Sequence, residues 1–413
     1  MDIRITPKKL TGTVTPPPSK SQAHRLLIAA LIHRGVSVIH GLADSQDIQA
    51  TRRCLTALGA RIDDVDEGTV QVCGLGNAIV EAGPAPILDC GESGSTLRFL
   101  IPLALLVNGS ACFVGHGRLM ERPQGPYENL FREKGIAWSF KDGVLSVDGG
   151  KGYDDYALSP GEYRLPGNVS SQFFTGLLFV LPLLDGDSTL VPTTPLESRD
   201  YLEMTRSVLE LAGVESRWEG DVLHIPGRQH YAPFEAAVEA DWSQAAFWYA
   251  AIALGSKLEL EGLNAFSVQG DMAVVPHFLR LTHPGDLTID LSGIPDLLPP
   301  LAVMAAVRSG TTRFVNAARL RMKESDRLAT VCAMLTALGG RCEEGADSLT
   351  VTGGTLTGGT VDSAGDHRIA MAAAIAATGC TGPVTVLGAE CVKKSYPDFW
   401  EVYQSLGGEV HVL

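Results

Sequence analysis

Two hydrophobic rhythms alternate along the chain, and the switch between them recurs. Apolar residues spaced three and four apart mark an amphipathic helix, a glycine follows, and two segments of period two then mark a pair of strands. The first copy is Cys54-Leu-Thr-Ala-Leu-Gly59 with Ala60–Asp64 and Thr69-Val-Gln-Val72. Leu130-Phe-Arg-Glu-Lys-Gly135 precedes Val144-Leu-Ser-Val147, and Val208-Leu-Glu-Leu-Ala-Gly213 precedes Val222-Leu-His-Ile225. Met334-Leu-Thr-Ala-Leu-Gly339 with Ser348-Leu-Thr-Val351, and Tyr403-Gln-Ser-Leu-Gly407 with Glu409-Val-His-Val412, continue the series. A weaker sixth copy is expected at Pro276–Ile289, where His283-Pro-Gly285 stands for the single glycine. Each glycine supplies the left-handed residue that closes a helix, and the acidic turns between paired segments predict hairpins.

The apolar runs Leu100–Val107 and Leu177–Leu184 are too short to span a bilayer and each contains a proline, so they predict buried helices. Repeats of roughly 60–80 residues exceed solenoid periods of about 20–50. They predict an α/β chain of two globular domains, three units in each. The units are expected to pack with pseudo-threefold symmetry, helices inside and sheets outside. Gln229–Glu239 breaks the pattern and is read as a crossover, while the strand Asp2–Ile5 is expected to pair with the C-terminal half. The predicted domains are therefore residues 1–17 with 234–413, and residues 18–233, joined by two chain crossings that favour a hinge.

Composition narrows the function. The 413 residues are 45% hydrophobic and carry a formal net charge of −14, which excludes a general nucleic-acid-coating surface. An anionic substrate then requires cations gathered locally. The eight cysteines form no CxxC pair and no Cys/His cluster at zinc spacing, so no metal is expected. The polar start Met1-Asp-Ile-Arg-Ile-Thr6 has no signal-peptide character and predicts a reduced, cytoplasmic setting.

The unusual residues sit where helices begin. Pro16-Pro-Pro-Ser-Lys-Ser-Gln-Ala-His-Arg25 leads into an apolar helix, with Ser19 as its cap and Lys20, Ser21 and Arg25 at an end that favours an anion. Gly91-Glu-Ser-Gly-Ser-Thr-Leu-Arg98 is a glycine turn without the ending of a Walker loop. Gly117-Arg-Leu-Met-Glu-Arg122-Pro, Gly167-Asn-Val-Ser-Ser-Gln172 and Ser198-Arg-Asp-Tyr201 occupy matching places. Arg319-Leu-Arg-Met-Lys-Glu-Ser-Asp-Arg327 sets carboxylates among cations, as general acid–base work requires. Asp296, Asp366-His-Arg368 and Val392-Lys-Lys394-Ser complete the set. Independent caps do not select cations, because the helix dipole opposes them. Convergence on one strongly anionic site between two domains accounts for the pattern better.

These ordered motifs resemble the 5-enolpyruvylshikimate-3-phosphate synthase family nearly end to end: Pro18-Ser-Lys-Ser21 with Arg25, Gly94, Arg118–Pro123, Val169–Gln172, Ile294–Asp296, Lys323–Arg327, Asp366–Arg368 and Lys394–Asp398. The resemblance implies an enolpyruvyl transferase fold, two domains of three βαβαββ units each. It implies transfer of the enolpyruvyl group of phosphoenolpyruvate to the 5-hydroxyl of shikimate 3-phosphate, on the route to chorismate and aromatic amino acids. It further implies no cofactor, no nucleic-acid or membrane partner, a monomer, and a target for glyphosate.

Residue by residue, shikimate 3-phosphate falls to Lys20, Ser21, Arg25, Ser170, Ser171, Gln172, Ser198, Tyr201, Asp296 and Lys323. Phosphoenolpyruvate falls to Lys20, Gly94, Arg122, Gln172, Arg327, Arg368 and Lys394. Asp296 takes the hydroxyl proton, Glu324 and Lys20 protonate the methylene carbon, and His24 takes no part. The chain departs from the family at Glu92-Ser-Gly-Ser95, where Asn-Ala-Gly-Thr is common, at Phe99, where a proline is found, and at Arg319, where some members have asparagine. Rival readings are UDP-N-acetylglucosamine enolpyruvyl transferase, which would show Lys-Asn at Lys20-Ser21 and a loop cysteine where Cys112 reads as a buried strand residue, a non-catalytic anion-binding pseudoenzyme, and an RNA 3′-phosphate cyclase-like enzyme.

Overall fold

The computed structural model describes residues 1–75, 84–149 and 158–413. The chain divides into a continuous unit, Pro18–Val238, and a discontinuous one, Met1–Pro17 with Glu239–Leu413. The division differs from the sequence reading by five residues, because Glu235–Ala237 pairs in parallel with Val38–His40 and stays with the continuous unit.

The continuous unit repeats one motif. A strand, Ile87–Asp89, leads through helix Gly94–Asn108 to a parallel strand, Ser110–Val114. Helix Gly125–Glu133 and the hairpin Ala137–Lys141/Val144–Asp148 follow, so the sheet order is first, second, fourth, third strand. Strands Gly161–Leu165, Ser188–Pro192, Arg217–Glu219 and Val222–Ile225 form a second such sheet. The third comprises Arg34–His40, Arg61–Asp66, Thr69–Leu75 and the returning Glu235–Ala237.

In each repeat one helix is buried all round and one is amphipathic. Gly94–Asn108 buries every residue from Gly94 to Leu105 except Ser95, whereas Arg199–Leu211 buries only Leu202, Met204, Thr205, Val208 and Leu209. The run Leu100–Val107 lies inside the first of these helices. Leu177–Leu184 is helical only to Val180 and then tightens into a 3₁₀ turn at Leu181–Leu183, where Pro182 removes an N–H donor.

The discontinuous unit modifies the scheme. Leu287–Asp290, Thr311–Val315, Leu349–Thr352 and Arg341–Glu344 form a regular sheet. In the next, Ile3–Thr6 lies between Val384–Leu387 and Glu409–Val412, so the start of the chain completes the sheet of its end. The third sheet has two strands, Thr11–Val14 and Lys257–Leu260. The sixth copy expected at Pro276–Ile289 has its helix, Val274–Leu281, but no hairpin. Leu287–Asp290 instead opens the neighbouring sheet, in parallel with Thr311–Val315. The helix-closing glycines behave as the pattern predicts: Gly59, Gly135, Gly213, Gly339 and Gly407 have φ of 104°, 76°, 77°, 84° and 91°. Among the described residues no helix is long and apolar enough to cross a membrane.

Candidate active site

In the continuous unit the sequence-predicted residues gather at helix entrances. Ser19 caps helix Lys20–Ile32, its side chain accepting from the Gln22 N–H at 3.4 Å. Lys20 Nζ pairs with Asp47 Oδ2 at 2.7 Å. Arg25, one turn on, is 2% exposed. Its Nε donates to Thr205 Oγ1 at 2.8 Å, Nη1 to the Ser21 carbonyl at 2.6 Å and Nη2 to the Tyr201 carbonyl at 3.0 Å. The guanidinium also lies 5.1 Å from the Phe99 ring centroid. All these partners are neutral, and burial pulls the Arg25 pKa down to about 10. A charge so placed is ready for an anion.

Helix Gly94–Asn108 begins with a serine cap, Ser93, and helix Ser171–Val180 with Ser170. Gln172 joins the two entrances: its Nε2 donates to Ser95 Oγ at 3.0 Å and its Oε1 accepts from Arg98 Nη1 at 2.8 Å. A Cβ at Gly94 would stand 2.9 Å from Arg122 Nη1, so only glycine leaves that guanidinium in place without a shift. Arg122 is buried, whereas Arg118 is exposed and faces Glu121 at 3.7 Å. Ser171 is buried, and Ser198, at the entrance of Arg199–Leu211, is buried in a left-handed conformation with φ 55°.

In the discontinuous unit the predicted residues form an ion-pair cluster. Arg327 Nη1 donates to Asp296 Oδ1 at 2.7 Å, Nη2 to Glu324 Oε2 at 2.6 Å and Nε to Asp366 Oδ2 at 2.8 Å. Lys323 Nζ approaches Asp296 Oδ1 at 3.4 Å, and Arg368 Nη2 approaches Asp296 Oδ2 at 3.2 Å. Lys394 Nζ donates to the Gly365 carbonyl at 2.7 Å, beside the Asp366 cap. Burial by itself would raise the Asp296 pKa, but Arg368, Lys323 and Arg327 outweigh it and hold the carboxyl well below its usual range. Burial lowers the Lys323 pKa, with Asp296 opposing. Burial acts in the same direction on Arg327, where Asp366, Glu324 and Asp296 reverse it and raise the pKa.

Several residues support those the sequence pointed to, and Thr205, Asp47, Asp241 and Ser243 among them were not singled out from it. Asp366 binds the buried Arg327, and Thr205 holds Arg25. Asp47 and Arg98 engage Lys20 and Gln172. Asp241 caps helix Trp242–Ala253 and accepts from Ser243 Oγ at 2.6 Å, which in turn accepts from Arg368 Nη2 at 2.9 Å. The signal for Asp241 and Ser243 was local, an aspartate cap opening the apolar run Trp242–Ala253. Arg319 is buried and donates to the Ser292 carbonyl, while Arg321 turns to Asp326 and Glu344. His24 is buried against Thr51 at 2.7 Å and its pKa is lowered by burial. Cys112 lies on strand Ser110–Val114 against Ser146 Oγ at 3.4 Å, not on a loop. Among the described residues no group of His, Cys, Asp and Glu is arranged to hold a metal ion.

Known proteins supply the comparison. A model of EPSP synthase, 3-phosphoshikimate 1-carboxyvinyltransferase, matches residues 5–403. A 3-phosphoshikimate 1-carboxyvinyltransferase of Clostridium kluyveri is 43% identical over 429 residues, covering 99% of this chain and 98% of the relative. One from Clostridium novyi is 41% identical over 436 residues, covering 98% of each. Among solved structures, EPSP synthase from Acinetobacter baumannii aligns over 100% of both chains with TM-score 0.81 at 24% identity. The enolpyruvyl transferase NikO from Streptomyces tendae aligns over 99% of this chain and 98% of its own, with TM-score 0.77 at 18% identity. The last two establish the fold. With the end-to-end family match and relatives above 40% identity, they place the chain in the EPSP synthase family.

Proposed function

We propose that the protein is a 3-phosphoshikimate 1-carboxyvinyltransferase, transferring the enolpyruvyl group of phosphoenolpyruvate to the 5-hydroxyl of shikimate 3-phosphate with release of phosphate. The observation that carries this reading is the family match over residues 5–403 in a chain that keeps the cation-bearing helix entrances. Both substrates are small molecules bearing a phosphate and a carboxylate, which is the charge such entrances suit.

In this reading Arg25, Ser21, Ser170, Ser171, Gln172, Ser198 and Tyr201 hold shikimate 3-phosphate. Arg122, Arg327, Arg368 and Lys394 hold phosphoenolpyruvate, with Lys20 beside both and Gly94 leaving room. Asp296 takes the proton of the 5-hydroxyl as that oxygen bonds to C2 of phosphoenolpyruvate, and Glu324, helped by Lys20, delivers a proton to C3. In the second half-reaction C3 loses a proton, the C2–O bond to phosphate breaks, and phosphate leaves. The tetrahedral centre at C2 forms and collapses through oxocarbenium-like transition states, which fixed dipoles and excluded water favour.

The test is phosphate release from phosphoenolpyruvate by the purified protein with shikimate 3-phosphate or UDP-N-acetylglucosamine as acceptor. Release with shikimate 3-phosphate alone is the expected result; release with only the sugar nucleotide, or with neither, overturns the reading.

A further inference from the structure

His24, which the family resemblance sets aside, ends a buried relay of hydrogen bonds. Its Nδ1 lies 2.7 Å from Thr51 Oγ1, Thr51 Oγ1 lies 2.7 Å from Thr96 Oγ1, and Thr96 Oγ1 donates to Ser93 Oγ at 2.8 Å. None of the four residues is more than 1% exposed. The direction of the relay follows from one proton per hydroxyl. Thr96 gives its proton to Ser93, so it accepts from Thr51. Thr51 then has no proton for the ring and accepts from the Nδ1–H of His24. Burial, with Lys20 and Arg25 adding to it, holds the His24 pKa well below its usual value, so the ring carries this one proton only. Nε2 keeps a bare lone pair, and it is the ring nitrogen left without a partner among the described residues. An unpaired acceptor is tolerated in a core more readily than an unpaired donor.

The relay joins three helix entrances. Lys20 stands one turn before His24 on helix Lys20–Ile32, and Asp47 one turn before Thr51 on helix Gln46–Ala57. The Lys20–Asp47 ion pair and the His24–Thr51 hydrogen bond are therefore successive rungs between the same two helices. Thr96 extends the second rung to helix Gly94–Asn108. There Ser93 Oγ accepts from both the hydroxyl and the N–H of Thr96, which pins the turn that carries Gly94. Gly94 in turn leaves Arg122 its place. Arg25 is held by other groups, Ser21, Tyr201 and Thr205, and shares no bond with the relay. Resting on the function proposed above, we infer that His24, Thr51, Thr96 and Ser93 are positioning residues for the phosphoenolpyruvate end of the site, fixing the glycine turn relative to Lys20. They act through the backbone of that turn and through the helix that bears Lys20. The shikimate 3-phosphate end, built around Arg25, does not depend on them.

Two measurements on the full-length protein test this. In long-range proton–nitrogen NMR spectra the His24 ring, identified by its absence from His24→Asn, is expected to show a protonated Nδ1 and a bare Nε2. The opposite tautomer, or a charged ring at neutral pH, overturns the relay. In steady-state kinetics Thr96→Val, which keeps the shape and removes the hydroxyl, should lower kcat/KM for phosphoenolpyruvate by roughly 10–100-fold. KM for shikimate 3-phosphate should stay within about twofold, and Thr96→Ser, which restores the hydroxyl, should return both constants to within about threefold of the wild type. Equal losses for the two substrates, or no recovery in Thr96→Ser, make Thr96 a packing residue only and overturn the inference while the proposed activity stands. Should Thr96→Val fail to fold, Ser93→Ala, which removes the last acceptor of the relay, is expected to show the same bias toward phosphoenolpyruvate, and its absence there counts equally against the inference. A wild type that turns over neither substrate overturns the proposed activity and with it the role given to the relay.

Discussion

At the scale of single residues, the site is built from charges that are costly to bury and therefore closely partnered. Asp366 is 0% and Arg327 1% exposed, so removing one partner strands the other. Asp366→Asn is expected to cost about 3–5 kcal/mol near neutral pH in chemical denaturation. The sign with pH follows from the direction of the shifts. Asp296 and Asp366 have folded pKa values below the unfolded value of about 3.9, so their contribution is complete above that value and is lost as pH falls through the folded pKa. Wild-type stability should therefore fall below about pH 4, and Asp366→Asn should fall less steeply there from its lower start. A steeper acid loss in the variant would contradict the pairing. Gly94 makes a different residue-scale case. Its absent Cβ would meet only side-chain tips, Arg122 Nη1 at 2.9 Å and Gln172 Oε1 at 3.4 Å. Gly94→Ala should keep stability within about 0.5 kcal/mol while raising KM for phosphoenolpyruvate several-fold, as steady-state kinetics and thermal melts would show.

Among the elements, the two units treat their helix entrances differently. The buried helices of the continuous unit are capped by neutral serines, Ser19, Ser93 and Ser170, whereas Asp241 and Asp366 cap two in the discontinuous unit. A serine cap leaves the positive helix end available to a substrate anion; an aspartate already neutralises it and also holds a nearby arginine. Ser170→Asp tests this contrast, because aspartate caps a helix as well as serine does. Stability should change by no more than about 0.5 kcal/mol, while KM for shikimate 3-phosphate rises at least about tenfold, since a charge now stands where the ligand binds. An unchanged KM would remove Ser170 from the site. The repeat itself was legible because glycine-closed helices and period-two strands leave a strong mark, as at Gly59, Gly135 and Gly213. The missing hairpin of the sixth copy was not, because Leu287–Asp290 has the alternation of a strand whichever sheet receives it. The pairings of Asp366 and Asp47 were not legible for a related reason. Their partners Arg327 and Lys20 lie on other helices, and pairing between distant segments leaves no local trace.

For the molecule as a whole, two chain crossings matter more than either unit's internal symmetry. Ile3–Thr6 completes a sheet with Val384–Leu387 and Glu409–Val412, so the chain belongs to the discontinuous unit both before it enters the continuous one at Pro18 and after it leaves it at Val238. The proposed chemistry uses that connection. Lys20 belongs to the continuous unit and Glu324 to the discontinuous one, yet the reading assigns both to the same event, proton delivery to C3. Groups that serve a single step are strongly non-additive when removed. Lys20→Met and Glu324→Gln should each lower kcat by roughly 10²–10⁴. The double variant should be lower than the worse single one by less than about tenfold, because the second deletion removes help from a step already lost. Single-turnover measurements with both substrates saturating separate this from weaker binding. If the two losses instead multiply, Lys20 and Glu324 act on different steps, and Lys20 belongs to substrate binding, with its Asp47 pairing tuning affinity and not proton transfer.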